Sequence, residues 1–273
     1  MEYTLSLCDI YPLIRKDCAD ARHFLQMCER KSGFSFSRIH LGGSFCGRAF
    51  LADVEDAFRR FAPVCREMRL SITLTIPLFT EQELTAGKQV IHRLLAQYGQ
   101  SIDEVTVNDG GMYRFVSEIW NIPINTGRLM HKQLRDPRYP EHEQELTVVS
   151  PDFFPAAGME LDAVTRRIQI DGFSGVIAIH TPYTYWTTGK LCHISGMGAD
   201  VYMKFNPNHR CGVDCGKMFF KYESRGGNLF YQVGNTVYYK TTLPEIASAA
   251  KLRVIWTPLE FWEESHEYSG SHQ

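Results

Sequence analysis

Apolar and polar positions along this chain fall into two alternating rhythms. Short runs rich in Val, Ile, Leu and Thr predict strands at about 4–9 (TLSLCD), 37–41 (SRIHL), 70–77 (LSITLTIP), 104–108 (EVTVN), 122–125 (IPIN), 146–149 (LTVV), 175–180 (GVIAIH) and 252–257 (LRVIWT). That composition is usual for strands covered on both faces. Between them, amphipathic segments predict helices over about 13–30, 51–68, 80–98, 110–119, 127–134, 158–168 and 243–250. Eight strands joined by helical crossovers predict a single α/β domain over 1–273, a (β/α)8 TIM-like barrel, with a doubly wound open sheet as the competing fold.

The rhythm breaks once. Strand seven ends near His180 and strand eight does not begin until about Leu252, so a long insertion spans 181–251. Connections of that length are functional when they are ordered, and the aromatic density here argues for order. Within it, 228-NLFYQVGNTVYYK-240 predicts a hairpin whose turn is Gly234-Asn235.

Composition adds limits. Apolar residues make up 44% and charged residues 22% of the chain, enough to bury a core without disulfides. The net charge is −2 and no basic block stands out, which argues against broad electrostatic binding to nucleic acid or to an anionic membrane. The N-terminal segment lacks a secretory pattern, and no apolar run approaches the ~18 residues that span a bilayer. The expectation is a cytoplasmic protein without a membrane span. Eight cysteines in a reducing compartment point to metal binding, catalysis or core packing before disulfides.

Periodicity sorts those thiols. Leu51, Val54, Phe58, Phe61, Cys65 and Met68 form one helical stripe, and Ile14, Cys18, Ala21, Leu25 and Cys28 form another. Cys65, Cys18 and Cys28 therefore read as small core residues. Cys8 falls inside the first strand and reads as structural too. The remainder, Cys46, Cys192, Cys211 and Cys215, have no such pattern. Cys46 lies in the glycine-rich turn 41-LGGSFCGR-48 after strand two, and the other three follow strand seven. In a barrel all strand-to-helix loops open on one face, so these distant loops could form a four-sulfur cage there. Zinc and iron–sulfur clusters both accept four thiolates; one close pair with two separated singles leans toward a cluster.

These residues carry a resemblance. The turn Leu41–Arg48, the segment 107-VNDGGMYRF-115 and the late trio Cys192, Cys211 and Cys215 resemble the peptidase U32 family, in particular its short UbiV- and UbiU-like iron–sulfur members. The resemblance covers most of the chain. It implies a 4Fe-4S cluster held by Cys46, Cys192, Cys211 and Cys215, and oxygen-independent hydroxylation or a related redox modification of a small substrate. It also implies a related partner subunit. The competing readings are a non-catalytic interaction protein stabilised by zinc or a cluster, and a peptidase, for which no persuasive Ser/His/Asp or Cys/His arrangement is evident.

Barrel geometry nominates further residues just past the strand ends. Asn108 and Asp109 follow strand four, Asn125, Arg128 and His131 follow strand five, and His180 and Tyr183 follow strand seven. Arg48 and Arg128 suit a substrate carboxylate, with Asn108 and His131 as further binding candidates. His180, Asp109 and Tyr183 are the catalytic candidates, although Asp109 before two glycines equally suits a turn and His180 a buried structural role. His193 and Ser195 are placed to donate hydrogen bonds to cluster sulfurs. Tyr183, Tyr185 and Trp186 form either a pocket wall for a flat ring or a seal beneath the insertion.

Overall fold

Strict alternation of polar and apolar residues builds the central sheet. The computed structural model describes residues 2–127, 131–133, 146–148, 177–181, 183–186, 219–223, 229–234, 236–240 and 252–263. Its strands are β1 (Glu2–Ser6), β2 (Arg38–Gly42), β3 (Ser71–Ile76), β4 (Glu104–Val107), β5 (Ile124–Thr126), β6 (His131–Gln133) and β7 (Leu146–Val148). They continue with β8 (Ile177–Thr181), β9 (Tyr183–Trp186), β10 (Phe219–Glu223), β11 (Leu229–Val233), β12 (Thr236–Lys240) and β13 (Leu252–Trp256). The helices are α1 (Tyr11–Ile14), α2 (Ala21–Ser32), α3 (Gly47–Met68), α4 (Glu81–Tyr98), α5 (Gly110–Ile119) and α6 (Glu260–Glu263).

Seven strands pair in parallel in the order β5-β4-β3-β2-β1-β13-β8 and curl into a half-barrel compatible with a TIM-like fold. The last strand of the sequence lies beside the first, as barrel closure requires. One ion pair reports the curl directly. Arg253 on β13 and Glu104 on β4 are four strand steps apart, which in a flat sheet is about 19 Å. Their side chains nevertheless meet at 2.5 and 3.2 Å. Only a strongly bent sheet lets them touch across its hollow side.

The two faces of this sheet differ in chemistry. Leu5, Ile39, Leu41, Ile72, Leu74, Ile76, Val105 and Val107 project outward into the core shared with the helices. Their neighbours on the hollow side are Glu2, Thr4, Ser6, Arg38, His40, Thr73, Thr75, Glu104, Thr106 and Arg253, with Ile255 as an apolar member. The strands were expected to be covered on both faces; the inner side is polar. At its N-terminal end four charges balance in a ring. Glu2 takes Arg38 Nε at 2.9 Å and Arg253 Nε at 2.7 Å, and Arg253 forks onto Glu104. Thr73 donates to Glu104 at 2.7 Å and accepts from Arg38 at 3.2 Å.

The helices differ from expectation at their ends. The segment expected as one helix over 13–30 is broken: Asp20 caps α2, its Oδ1 accepting from the His23 N–H at 2.9 Å. The stripe Ile14, Cys18, Ala21, Leu25 and Cys28 survives the break, and all five are buried. α3 begins four residues earlier than expected, at Gly47, because Cys46 caps it. β1 ends at Ser6, so Cys8 lies in the following loop rather than within the strand.

Two expectations around the sixth strand are corrected. Residues 131–133, expected in a helix over 127–134, are extended in β6. The sixth strand is present as β7 but pairs antiparallel with β6, Lys132 opposite Thr147, and does not join the parallel sheet. Two short extended segments of this kind satisfy each other's backbone groups as a hairpin-like pair. The helices expected over 158–168 and 243–250 lie outside the described residues.

The insertion supplies a second sheet, antiparallel in the order β10-β11-β12-β9. The expected hairpin is β11 and β12, with Val233 opposite Thr236 and Gly234 at φ 58°, the left-handed conformation that a two-residue turn demands. Phe219, Tyr231, Val233 and Tyr238 from this sheet belong to the same apolar core as the parallel sheet and its helices. Their burial ties the described part of the insertion to the body of the fold.

Candidate functional site

The loops that follow the parallel strands gather the chemistry. After β2 the chain turns through Gly42 and Gly43, and the Gly43 N–H reaches back to the Thr75 carbonyl at 3.0 Å. Asp9, after β1, holds this turn. Its carboxylate accepts the Ser44 N–H at 2.9 and 3.1 Å and the Phe45 N–H at 3.2 Å. Asp9 has φ 62°, a left-handed conformation that costs a non-glycine residue on the order of 1 kcal/mol, and these bonds offset it. Nothing in the sequence reading singled out Asp9; its position at the end of the first strand was the available signal.

The clamped turn delivers Cys46 to the head of α3. Its Sγ accepts the Ala49 N–H at 3.4 Å, one of the donors a helix start leaves unpaired. The residue is half-buried, whereas Cys8, Cys18, Cys28 and Cys65 are buried. Burial pushes the thiols of Cys18 and Cys28 far up, and that of Cys65 up to about 12. A thiol that is both hidden and protonated does not react as a nucleophile. Iodoacetamide applied at pH 8 to the folded protein freed of metal is therefore expected to label Cys46 well ahead of Cys18, Cys28 and Cys65, as read by peptide mass spectrometry; equal labelling in the native state would contradict this ordering.

Arg48, two residues on, is engaged by a neighbour. Its Nε meets Glu83 at 3.2 Å, and the other oxygen of Glu83 accepts the Thr80 N–H at 3.0 Å in the capping box of α4. The carboxylate that Arg48 was expected to bind is here a side chain of the protein. Asn108 is buried after β4, its amide donating to the Ile76 carbonyl at 2.9 Å. Its other end packs on Gly127, where any Cβ would overlap it. Asp109 caps α5, Oδ1 accepting the Met112 N–H at 2.8 Å. Burial raises its pKa, partly offset by the N–H groups of Met112 and Gly111. The helix-capping geometry accounts for Asp109 as a local structural residue.

Deeper on the inner side, His40 Nε2 lies 3.2 Å from the Thr4 hydroxyl, which donates its proton to the Val254 carbonyl at 3.3 Å. On the outer side, a small cavity lined by Asp9, Tyr11, Gly43 and Asp53 separates the β1 loop from α3. Beside it Asp56 is bound by the Tyr11 hydroxyl at 2.7 Å and by Arg15, Arg59 and Arg60. Burial alone would raise the Asp56 pKa, but these partners hold it below the ordinary value.

The remaining candidates are placed only in part. His180 stands in β8 opposite Ile255, and Tyr183 in β9 opposite Lys240. Tyr185 and Trp186 lie opposite Tyr238 and Val237. His131 begins β6, outside the parallel sheet. Arg128, Cys192, His193, Ser195, Cys211 and Cys215 lie outside the described residues. Among the described residues, no three His, Cys, Asp or Glu side chains converge as a metal site, and no helix is long and apolar enough to cross a membrane. Comparison with protein-family models, curated proteins and solved structures returns no match.

Proposed function

We propose that the chain is an iron–sulfur protein of the U32, UbiV-like type, with Cys46, Cys192, Cys211 and Cys215 holding a 4Fe-4S cluster. In this reading the half-barrel is the larger part of a TIM-like (β/α)8 barrel, and the cluster sits over the C-terminal ends of its strands. The protein is an enzyme or enzyme subunit for oxygen-independent hydroxylation, or a related redox modification, of a small molecule, working with a related U32-type partner. One observation supports this above the others: Cys46 is the half-buried cysteine among the described ones, held at the mouth of the sheet by a clamped turn. Cys8 reaches the same edge but is 2% exposed.

The donor set fits such a group as far as it is described. Thiolate is the ligand that iron–sulfur clusters take, and the N–H of Ala49 at Sγ is the kind of hydrogen bond that tunes them. The cluster would supply single-electron transfer. The chain's own part is to fix the Cys46 sulfur through Asp9 and the Gly42-Gly43 turn and to line the approach with polar groups.

Protein purified without air is expected to be brown, with about four irons and four sulfides per chain. Cys46→Ser should lose most of both, whereas Cys65→Ser should keep the metal and lose stability. Zinc in place of iron would support the interaction-protein reading, and a chain with neither metal after anaerobic reconstitution would eliminate the proposal. Full iron in Cys46→Ser would show that the fourth ligand lies elsewhere, with Cys8 the next to test.

A further inference from the structure

The loop after β1 is tied to α3 at two places that lie close together in sequence. Asp9 holds the turn in front of the helix through the N–H groups of Ser44 and Phe45. Two residues on, the Tyr11 hydroxyl donates to Asp56 at 2.7 Å, midway along the same helix. Arg15 adds bonds to Asp56 at 3.0 Å and to Asp53 at 3.1 Å. Arg60 completes the row, meeting Asp56 at 3.1 Å and the Cys18 carbonyl at 3.4 Å. Asp53, Asp56 and Arg60 are spaced by three and four residues, so a single face of α3 grips the segment from Tyr11 to Cys18.

Two features make the Asp9 clamp depend on the Asp56 anchor. Asp9 has φ 62°, a backbone state unfavourable for an L residue, so the clamp relaxes once the chain beside it is released. Between clamp and anchor lies a cavity of about 20 Å3, lined by Asp9, Tyr11, Gly43, Phe50 and Asp53. It has room for about one water molecule. Close packing is interrupted on this side of the loop, and hydrogen bonds to α3 take its place.

We propose that Asp56 is a positioning residue for the turn that carries Cys46, acting through Tyr11 and the Asp9 clamp. Asp56 stands ten positions beyond Cys46, about 15 Å along α3, so it serves that turn from a distance. Loss of the anchor lets the loop after β1 lift and Asp9 return to an ordinary backbone state. The Ser44 and Phe45 N–H groups then open to water. That the turn presents a cluster ligand rests on the function proposed above; the coupling of Asp56 to the turn stands without it.

The test is amide hydrogen exchange on the full chain, comparing peptides over 42–49 with peptides over β3, 71–76. In Asp56→Asn the 42–49 amides are expected to exchange about tenfold faster, the effect of losing one hydrogen bond to a charged group, with β3 changed much less. Tyr11→Phe, a gentler change, is expected to act in the same direction. Glu55→Gln, at the neighbouring position and paired with Arg93 of α4, is expected to alter neither segment. Asp9→Asn should speed the 42–49 amides by itself, and adding Asp56→Asn should speed them little further. Equal acceleration in both segments would show a general loss of stability and overturn the proposal. Unchanged exchange over 42–49, or fully additive effects of Asp9→Asn and Asp56→Asn, would overturn it too. Should Asp56→Asn not fold, Tyr11→Phe decides by the same criteria. Iron content is measured separately: an iron-free wild type would remove the function proposed above and leave the exchange result standing.

Discussion

Glu104→Gln is expected to remove about 3–5 kcal/mol of stability, a large part of the margin by which a domain of this size stays folded. Glu104 is 5% exposed and takes both arms of Arg253, a hydrogen bond from Thr73 and the charge of Arg38 at 3.6 Å. Neutralising it strands two guanidinium groups in a water-poor hollow against the one remaining carboxylate, Glu2. Urea unfolding of the variant should show a lower midpoint at unchanged slope. Full recovery is predicted for a double change. Glu104→Met with Arg253→Met removes one charge of each sign, and leaves Glu2 and Arg38 paired at 2.9 Å. If the double variant is no more stable than Glu104→Gln, the cost was lost packing and not an uncompensated charge.

The same ring gives a pH dependence whose sign is fixed. Burial alone would raise the Glu104 pKa, but Arg253, Arg38 and Thr73 outweigh it and hold the folded-state value at about 2, below its ordinary 4.5. A depressed carboxylate pKa means that its stabilisation is complete above about 4.5 and is lost as pH falls toward about 2. Wild-type stability should therefore drop through that window, and Glu104→Gln should drop less steeply there.

Much of this architecture was legible as period. Parallel strands separated by helices follow from the alternation of short apolar runs with stripes, and Cys65, Phe58 and Phe61 are buried on α3 as their spacing requires. The Gly234-Asn235 turn was legible because a left-handed residue such as Gly234 between two strands has few sequence solutions. The polar hollow was also written in the chain, as the strict alternation of RIHLG, SITLTI and EVTVN, but the Val, Ile, Leu and Thr content was read only as a sign of strands covered on both faces. Other features had no local signal. Arg253 and Glu104 are 149 positions apart, and their contact depends on the curl of the whole sheet. Asp9 acts through backbone N–H groups that belong to every residue type, so no motif marks Ser44 or Phe45 as its partners. The short segments 131–133 and 146–148 hold too few residues for period to separate helix from strand or to choose a pairing partner.

The turn that carries Cys46 depends most sharply on one glycine. Gly42 has φ 120°, a conformation closed to L side chains, and an added Cβ there would overlap the Thr75 carbonyl oxygen, a backbone atom with no freedom to swing aside. Gly42→Ala must therefore push β2 from β3 or rotate the turn, breaking the Gly43 N–H bond to Thr75 and the hold of Asp9 on Ser44 and Phe45. The expected cost is about 2–4 kcal/mol, the range in which strain at a special backbone position falls. Gly33→Ala is the matched control: φ is 72° but nothing lies within 4 Å of the new methyl group, so only the backbone term of about 1 kcal/mol applies. The two variants also separate stability from metal. Because the turn positions Cys46, Gly42→Ala should lower iron content in protein that still unfolds cooperatively, whereas Gly33→Ala should leave iron unchanged. Equal iron in both, with Gly42→Ala clearly destabilised, would mean that the turn supports the sheet and plays no part in placing the sulfur.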